Sequence, residues 1–412
     1  MTTSMRAFIL RGDAAHLPLP DASVDLIVTS PPYFGLRSYT DAGEHYDGQI
    51  GNEATPRAYL EALWACTAEW VRVLKPSGSL FVNLGDKYST GNSGQSGLAE
   101  LGKRWAGGGH SDGKAKRASA AVPGLPPKTL LGMPWRYALG CTDDLGLILR
   151  AEIVWAKPNG LPESVTDRVR RAHEQVFHFT RQPRYYSAVD EVREAHAGTT
   201  HPQGPRPQLQ SGNGVTHKLG GFDSATLNPL GKLPGSVWSI PSAPLTVPAH
   251  LGVDHFAAYP PELVRRIILG WSPAAVCTGC GEGRPPVVDR QYIKRDNGRP
   301  VRVATYTDNR FGGTSPLMRD GTGYTTSTIT GYACACPDAT APATPGIVLD
   351  PFCGTGTTML VSSVFGRTGI GIDRSADYCR LAQWRCSDPG ERARAMDVPK
   401  PPPVADGQEP LF

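Results

Sequence analysis

The chain has 412 residues, of which 40% are hydrophobic and 19% charged, and its formal net charge is +4. This length allows a full core and about two to three domain-sized units. No apolar run is long enough to cross a bilayer and the N-terminus lacks a cleavable signal, so we expect an intracellular, cytoplasmic protein. In that reducing compartment the nine cysteines favour thiols or metal ligands over disulfides.

The first residues predict two short buried strands. Ala7–Leu10 and Val24–Val28 are apolar runs too short for helices. The second leads into Ser30-Pro31-Pro32-Tyr33, where the prolines fix the backbone and leave carbonyl oxygens facing outward as acceptors. The plain alternative is a Pro-Pro turn that caps a strand, with Tyr33 as a packing residue.

This tetrapeptide suits chemistry on an exocyclic amino group of a base. Such a nitrogen is a poor nucleophile, because its lone pair is delocalised into the ring. The Ser30 hydroxyl and the Pro31 carbonyl can accept its N–H groups, which favours a pyramidal nitrogen with a free lone pair. Tyr33 can stack on a base that has left the duplex.

Further along the chain, helical and strand patterns alternate, which predicts a parallel α/β sheet. Apolar periodicity predicts a helix over Tyr59–Leu74 that stops at Lys75-Pro76-Ser77-Gly78. The other predicted elements are strands at Ser79–Asn83, Ile148–Trp155 and Gln175–Phe179, and a short helix at Pro261–Leu269.

Two irregular segments interrupt this pattern. Lys87–Lys128 is Gly/Ser-rich, and its interior carries five Lys/Arg against two acids. It is either a mobile basic loop that clamps the nucleic-acid backbone or a disordered surface loop. His196–His250 is polar, Pro/Gly-rich and weakly patterned.

A third irregular segment contains two cysteine pairs, Cys277-Thr-Gly-Cys280 and Cys334-Ala-Cys336. Two close pairs can form a closed, tetrahedral structural zinc site; the alternative is four unconnected thiols. Our hypothesis is that zinc holds the base of an arm from Gly281 to Ala333, whose eight Lys/Arg contact DNA.

A glycine loop lies near the C-terminus. The strand Ile347–Leu349 enters Asp350-Pro351-Phe352-Cys353-Gly354-Thr355-Gly356-Thr357-Thr358, and an apolar helix follows. Its glycines let the backbone approach a ligand, and the next strand ends at Asp373, where such folds bind ribose hydroxyls. The loop is not a P-loop, since no Gly-Lys-Ser/Thr follows. The alternative is a tight strand–helix turn without a ligand.

The loop Asp-Pro-Phe-x-Gly-x-Gly-Thr-Thr resembles the S-adenosylmethionine-binding motif of amino-methylating DNA methyltransferases. Ser-Pro-Pro-Tyr resembles the signature of the cytosine-N4 enzymes, where Ser replaces the Asp or Asn more usual in adenine-N6 enzymes. The catalytic motif precedes the cofactor loop, as in the family's permuted beta class. The resemblance implies a Rossmann-like α/β methyltransferase fold with a seven-stranded mixed sheet, S-adenosylmethionine as cofactor and double-stranded DNA as partner.

The resemblance also implies roles outside the two motifs. Asp13 matches the acid that meets the cofactor's adenine, with a turn residue as the alternative, and His250–Leu263 matches the segment that closes over its methionine end. Trp155–Asn159 and Arg171–Glu174 match blocks around the base pocket. The catalytic candidates are Ser30, Pro31, Pro32 and Tyr33; the cofactor candidates are Asp13, Phe256, Pro260, Asp350, Pro351, Phe352, Gly354, Gly356, Thr357 and Asp373; the metal candidates are Cys277, Cys280, Cys334 and Cys336.

These matches divide the chain into segments. They are 1–86, the catalytic half of the core; 87–130, the basic loop; 131–188, the core continuation; 189–248, a target-recognition region; 249–276, the cofactor-closing segment; 277–336, the zinc-knuckle insertion; 345–390, the cofactor-binding half; and 398–412, a disordered tail.

The function predicted in this way is methyl transfer from S-adenosylmethionine to the N4 of a flipped-out cytosine, with adenine N6 as the alternative. Methylation of an RNA amine or a protein glutamine is disfavoured, because relatives of that type place Asn-Pro-Pro-Tyr after the cofactor loop. Intact motifs also disfavour a non-catalytic zinc-arm module. Carbon methylation of cytosine is excluded, since the chain has no Pro-Cys dipeptide. The target sequence, the oligomeric state and the presence of a cognate restriction endonuclease stay open.

Overall fold

The computed structural model describes residues 6–35, 40–41, 44–45, 48–89, 125–160, 162–196, 228–253, 258–296, 299–306, 323–336 and 340–399. The strands are β1 (Ala7–Arg11), β2 (Val24–Thr29), β3 (Thr40–Asp41), β4 (Glu44–His45), β5 (Leu74–Leu84), β6 (Ile148–Ala156), β7 (His173–Thr180), β8 (Val237–Ser239), β9 (Val276–Cys277), β10 (Pro286–Asp296), β11 (Arg299–Tyr306), β12 (Gly323–Tyr332), β13 (Ala343–Thr344), β14 (Ile347–Asp350) and β15 (Thr368–Asp373). The helices are α1 (Pro56–Val73), α2 (Met133–Asp143), α3 (Pro261–Trp271), α4 (Thr357–Val364), α5 (Ala376–Ser387) and α6 (Pro389–Met396), with 3₁₀ turns at Val189–Val192 and Ala249–Leu251.

An eight-stranded mixed sheet in the order β1-β15-β14-β2-β5-β7-β6-β8 forms the centre of the molecule. The first five strands are parallel, so they all end at one edge, which we call the upper edge; they begin at the lower edge. β7 is antiparallel to both of its neighbours. Apolar side chains fill both faces of the sheet. The α/β methyltransferase fold class predicted from the sequence agrees with this topology.

The eighth strand corrects the prediction of seven. β8 has three residues and pairs in parallel with the end of β6, where Trp155 lies beside Trp238. The Trp238 side chain is 3% exposed. A strand this short leaves no periodic pattern in a polar segment, because its pairing depends on a neighbour more than 80 residues away.

Two element boundaries also differ from the prediction. Thr55 caps α1 by accepting the Ala58 N–H at 3.1 Å, so the helix begins before Tyr59. Leu74 already pairs with Val24, and Ser79 pairs with Leu26, so residues 75–78 bulge within β5 instead of forming a turn before it.

The segment predicted as an insertion is itself folded. β10 pairs antiparallel with β11 and β12 in a separate three-stranded sheet. An extra helix, α6, follows α5 where no element was predicted, and Asp388 caps it by accepting the Glu391 N–H at 2.8 Å. Most of the basic loop, residues 197–227 of the recognition region and residues 400–412 of the tail lie outside the described residues. Within the described part of the chain, no helix combines the length and apolar content that a membrane crossing requires.

A buried histidine makes the stability of this sheet depend on pH. The His178 ring stacks on Phe81 with 4.2 Å between centroids, and its Nε2 lies 3.0 Å from the Ser79 hydroxyl. Burial, with a smaller contribution from the charge of Arg150, lowers the pKa of His178 from 6.5 to about 3. Between these pKa values the unfolded chain binds a proton that the folded chain does not. Stability therefore falls as pH falls, by up to about 1.4 kcal/mol per pH unit.

We expect the His178→Gln variant to lose this part of the pH dependence, because glutamine keeps a polar group near Ser79 but does not titrate. Urea unfolding of both proteins, at neutral pH and near pH 5, measures the difference. Equal pH dependence in the two proteins would show that His178 is not the group responsible.

Candidate active site

A cavity of about 480 Å³ opens at the upper edge of the sheet. Ser30, Pro31, Pro32 and Tyr33 all line it, although these residues and the glycine loop are more than 300 positions apart. From the predicted cofactor set it is lined by Asp13, Pro351, Phe352, Gly354, Thr357 and Asp373. The structure thus brings the two sequence motifs together at one place.

The sheet topology explains this juxtaposition. β2 and β14 are adjacent parallel strands, with Leu26 opposite Val348 and Ile27 opposite Leu349. Their C-terminal ends therefore lie side by side, and the tetrapeptide leaves one strand where the glycine loop leaves the other. In open α/β sheets, ligands bind outside the carboxyl ends of the strands.

Backbone geometry explains the glycines of the loop. Gly354 and Gly356 have φ of +47° and +80°, a left-handed conformation that favours glycine. A Cβ on Gly356 would also lie 2.6 Å from the Cβ of Ala382, so α5 packs directly on the loop. The Asp373 carboxylate accepts the Gly354 N–H and the Ser375 N–H, each at 2.9 Å, and so ties the loop to the end of β15.

Three predicted cofactor residues do not line the cavity. Asp350 is fully buried, and its carboxylate accepts hydrogen bonds from the hydroxyls of Tyr259 at 2.7 Å and Thr358 at 2.8 Å. Burial raises the pKa of both Asp350 and Tyr259, so the tyrosine remains a hydrogen-bond donor. Gly356 and Pro260 are the N-cap residues of α4 and α3. Phe256 lies outside the described residues.

A polar network forms the floor below the tetrapeptide. The Tyr33 hydroxyl donates to a carboxylate oxygen of Glu174 at 2.8 Å, and the Asn83 amide nitrogen donates to that oxygen at 2.9 Å. The same amide nitrogen lies 2.9 Å from the Tyr33 hydroxyl and 3.3 Å from the Ser30 hydroxyl. Lys157 forms an ion pair with the other oxygen of Glu174. The network therefore links Ser30 to a paired carboxylate.

The ionisation state of Tyr33 follows from its surroundings. Burial and the negative charge of Glu174 raise its pKa well above the ordinary value for tyrosine, so it stays protonated and donates to Glu174. Ser30 is the neighbour on its other side, with 3.4 Å between the hydroxyl oxygens. Tyr59 donates to the Pro32 carbonyl at 3.0 Å, which fixes the tetrapeptide from outside the network.

Two further residues that line the cavity are Asp13 and Cys353. The Asp13 carboxylate caps a local turn by accepting the Ala15 N–H at 2.9 Å, and it also lines the cavity. Burial raises the pKa of Cys353 well above the ordinary value for a thiol, so this residue of the loop is not a thiolate nucleophile.

Two residues that shape the site, Asn83 and Arg385, were not predicted from the sequence. Asn83 was only the last residue of a predicted strand, although a polar side chain at the end of the strand beside β2 was a usable signal. Arg385, in α5, is 3% exposed and its guanidinium donates to the hydroxyls of Thr355 and Thr357 at 2.8 and 2.9 Å. It therefore braces the glycine loop from behind, and no motif marks it.

Comparison with known proteins agrees with this geometry. A family described as DNA methylase matches residues 24–275 and 340–384. The Type II methyltransferase M.Cfr9I of Citrobacter freundii is 35% identical over 300 residues, which cover 70% of this chain and 82% of that protein. M.SmaI of Serratia marcescens is 32% identical over 384 residues, which cover 92% and 89% of the two chains. A solved structure described as PvuII DNA methyltransferase (cytosine-N4-specific) matches with a TM-score of 0.50 and 16% identity over 94% of this chain and 89% of that one, a likeness of fold.

Proposed function

The chain belongs to the N6/N4 family of DNA methylases, and on that premise we propose that it transfers a methyl group from S-adenosylmethionine to the N4 of a cytosine in double-stranded DNA. The observation that carries the proposal is that Ser30–Tyr33 and the glycine loop line one cavity. Adenine N6 is the alternative acceptor. The preference for cytosine depends on Ser30, which stands where the adenine-N6 enzymes more usually have Asp or Asn.

The residues at the loop end of the cavity fit the cofactor. The volume of about 480 Å³ is that of a small-molecule site. Asp373 offers a carboxylate for ribose hydroxyls, and Phe352 and Pro351 offer apolar wall for the adenine. When bound, S-adenosylmethionine supplies an electrophilic methyl group on a sulfonium. Because that donor is already activated, the protein's contribution is mainly to position and prepare the acceptor.

The tetrapeptide Ser30–Tyr33 prepares the amino group of the base to accept the methyl group. Ser30 and Pro31 both line the cavity, and the Ser30 hydroxyl and the Pro31 carbonyl are the acceptors that we assign to the base amino group. Both accept N–H bonds, which concentrates the lone pair on the amino nitrogen.

The polar network provides a route for the proton that the amino nitrogen loses. Ser30 accepts it and passes its own hydroxyl proton to Tyr33, which passes its proton to the carboxylate of Glu174. Each hydroxyl gains one proton and loses one, so only Glu174 changes charge. The 3.4 Å contact between Ser30 and Tyr33 is the longest step. Lys157 pairs with the other oxygen of the same carboxylate, on the side away from Tyr33.

The identity of the methylated base tests the proposal directly. Plasmid DNA incubated with the protein and S-adenosylmethionine should yield N4-methylcytosine on nucleoside mass spectrometry. The Ser30→Ala variant should bind S-adenosylmethionine normally but form at least about 100-fold less product, because the amino group loses an acceptor. N6-methyladenine would select the alternative acceptor, and no methylated base on DNA of varied sequence would refute the proposed function.

A further inference from the structure

Four thiols meet at a place far from the cavity. The sulfurs of Cys277, Cys280, Cys334 and Cys336 all lie within 4.8 Å of one another. Four thiolates about 2.3 Å from a tetrahedral zinc ion are themselves about 3.8 Å apart, so the cluster needs only a small contraction to hold one. All four cysteines are free thiols, and Cys277 is fully buried while Cys280 is exposed.

The surroundings of the sulfurs are those of a metal site. The backbone N–H groups of Gly279 and Cys280 lie beside the Cys277 sulfur. The Arg284 guanidinium lies beside the sulfurs of Cys277 and Cys334 and donates to the Ala341 carbonyl at 2.6 Å. Such donors orient thiolate ligands, and the cation offsets the net negative charge of a four-thiolate zinc centre.

The cluster sits where the insertion leaves and rejoins the core. β9 pairs with β13, so Cys277 lies opposite Ala343, and both strands adjoin the core. On the core side, Gly346 packs directly against Pro273, because a Cβ on Gly346 would lie 2.3 Å from the Pro273 carbonyl oxygen. Gly346 directly precedes β14, and Pro273 follows the C-terminal end of α3. The cluster therefore lies at the lower edge of the sheet, opposite the cavity.

We propose that these four thiolates bind one zinc ion, and that this ion fastens the C-terminal end of α3 to the N-terminal end of β14. At the upper edge the same two elements are joined by Tyr259, just before α3, and Asp350, at the end of β14. A four-residue strand spans about 13 Å, so the ion acts on the cavity wall only through these elements. The role of the ion is to hold together the two ends of the inserted segment 277–336. This role does not require contact with DNA.

Metal content of the full-length protein tests the site. Protein purified without chelator should contain about one zinc per chain by mass spectrometry of the metals. The Cys277→Ser/Cys280→Ser variant should contain almost none, whereas Cys141→Ala, which removes a buried thiol elsewhere, should keep it. Absence of zinc from the wild type, retention in the double variant, iron in its place, or disulfides in the intact mass would each overturn the proposal.

A measurement on the wild type remains informative if the double variant does not fold. Titration with an organic mercurial in the presence of a zinc-sensitive dye should release one zinc per chain as the cluster thiols are blocked. Release of no zinc on full thiol modification would overturn the site. Neither readout involves methyl transfer, so failure here is distinct from failure of the proposed function.

The fastening role has its own test. Removal of the metal with a chelator should raise the rate of amide hydrogen exchange at residues 272–284 and 341–347 above that of the zinc-bound protein. The exchange rate in β2 and β5 should stay unchanged. No rise in those two segments, or an equal rise throughout the chain, would show that the metal does not act as a local fastener.

Discussion

Replacing Glu174 by glutamine is expected to lower the rate of methyl transfer at least about 100-fold, the usual contribution of a group that receives a proton in catalysis. The Glu174 carboxylate accepts from Tyr33 and Asn83 and pairs with Lys157. A glutamine amide in its place is neutral, so it takes no proton from Tyr33 and leaves the Lys157 cation without a counter-charge. Single-turnover transfer of labelled methyl to DNA measures the rate.

Two comparisons separate this role from a general loss of structure. The Glu61→Gln variant removes an exposed carboxylate that pairs with Arg57 on α1, and it should methylate at the wild-type rate. The affinity of Glu174→Gln for S-adenosylmethionine should also be unchanged, because Glu174 lies on the tetrapeptide side of the cavity. If Glu174→Gln methylated DNA at the wild-type single-turnover rate, the Glu174 carboxylate would not be the group that receives the proton.

The two motifs could be predicted from the sequence because their information is local. Ser30–Tyr33 and the glycine loop each follow a short apolar strand, and the residue pattern alone identifies both as strand ends. Parallel strands place their C-terminal ends at one edge, so the meeting of the motifs follows once β2 and β14 are neighbours. The sequence order of the motifs does not matter to this geometry.

The polar network could not be predicted in the same way. Asn83, Glu174 and Tyr33 come from three segments separated by 50 to 141 positions. Asn83 and Glu174 look like ordinary polar residues near strand ends, and only the pairing of β5 with both β2 and β7 brings them to Tyr33.

The wrong boundaries have a common physical origin. Residues 75–78 contain proline and glycine, which occur in turns and in bulges alike. Only the pairing of β5 with its partner strand shows that these residues form a bulge. β8 forms because β6 offers an unpaired edge and the core has room for Trp238.

Asp350 belongs to the glycine motif by sequence, yet its buried carboxylate holds Tyr259 and Thr358 and does not face the cavity.

Replacing Asp373 by asparagine is expected to weaken S-adenosylmethionine binding about 10- to 100-fold, with the fold intact, since hydrogen bonds to a charged acceptor contribute about 1.5–3 kcal/mol each. The carboxylate lines the cavity and also accepts the N–H groups of Gly354 and Ser375. An asparagine has one oxygen and one NH₂ group, so one backbone N–H would face another donor. The ribose site and the glycine loop are therefore both weakened.

The Asp377→Asn variant, which changes an aspartate on α5 paired with Arg380, is the matched control and should bind normally in calorimetric titration. Equal affinity of Asp373→Asn and the wild type would show that the cofactor does not depend on this carboxylate, and the proposed orientation of the cofactor in the cavity would then be wrong.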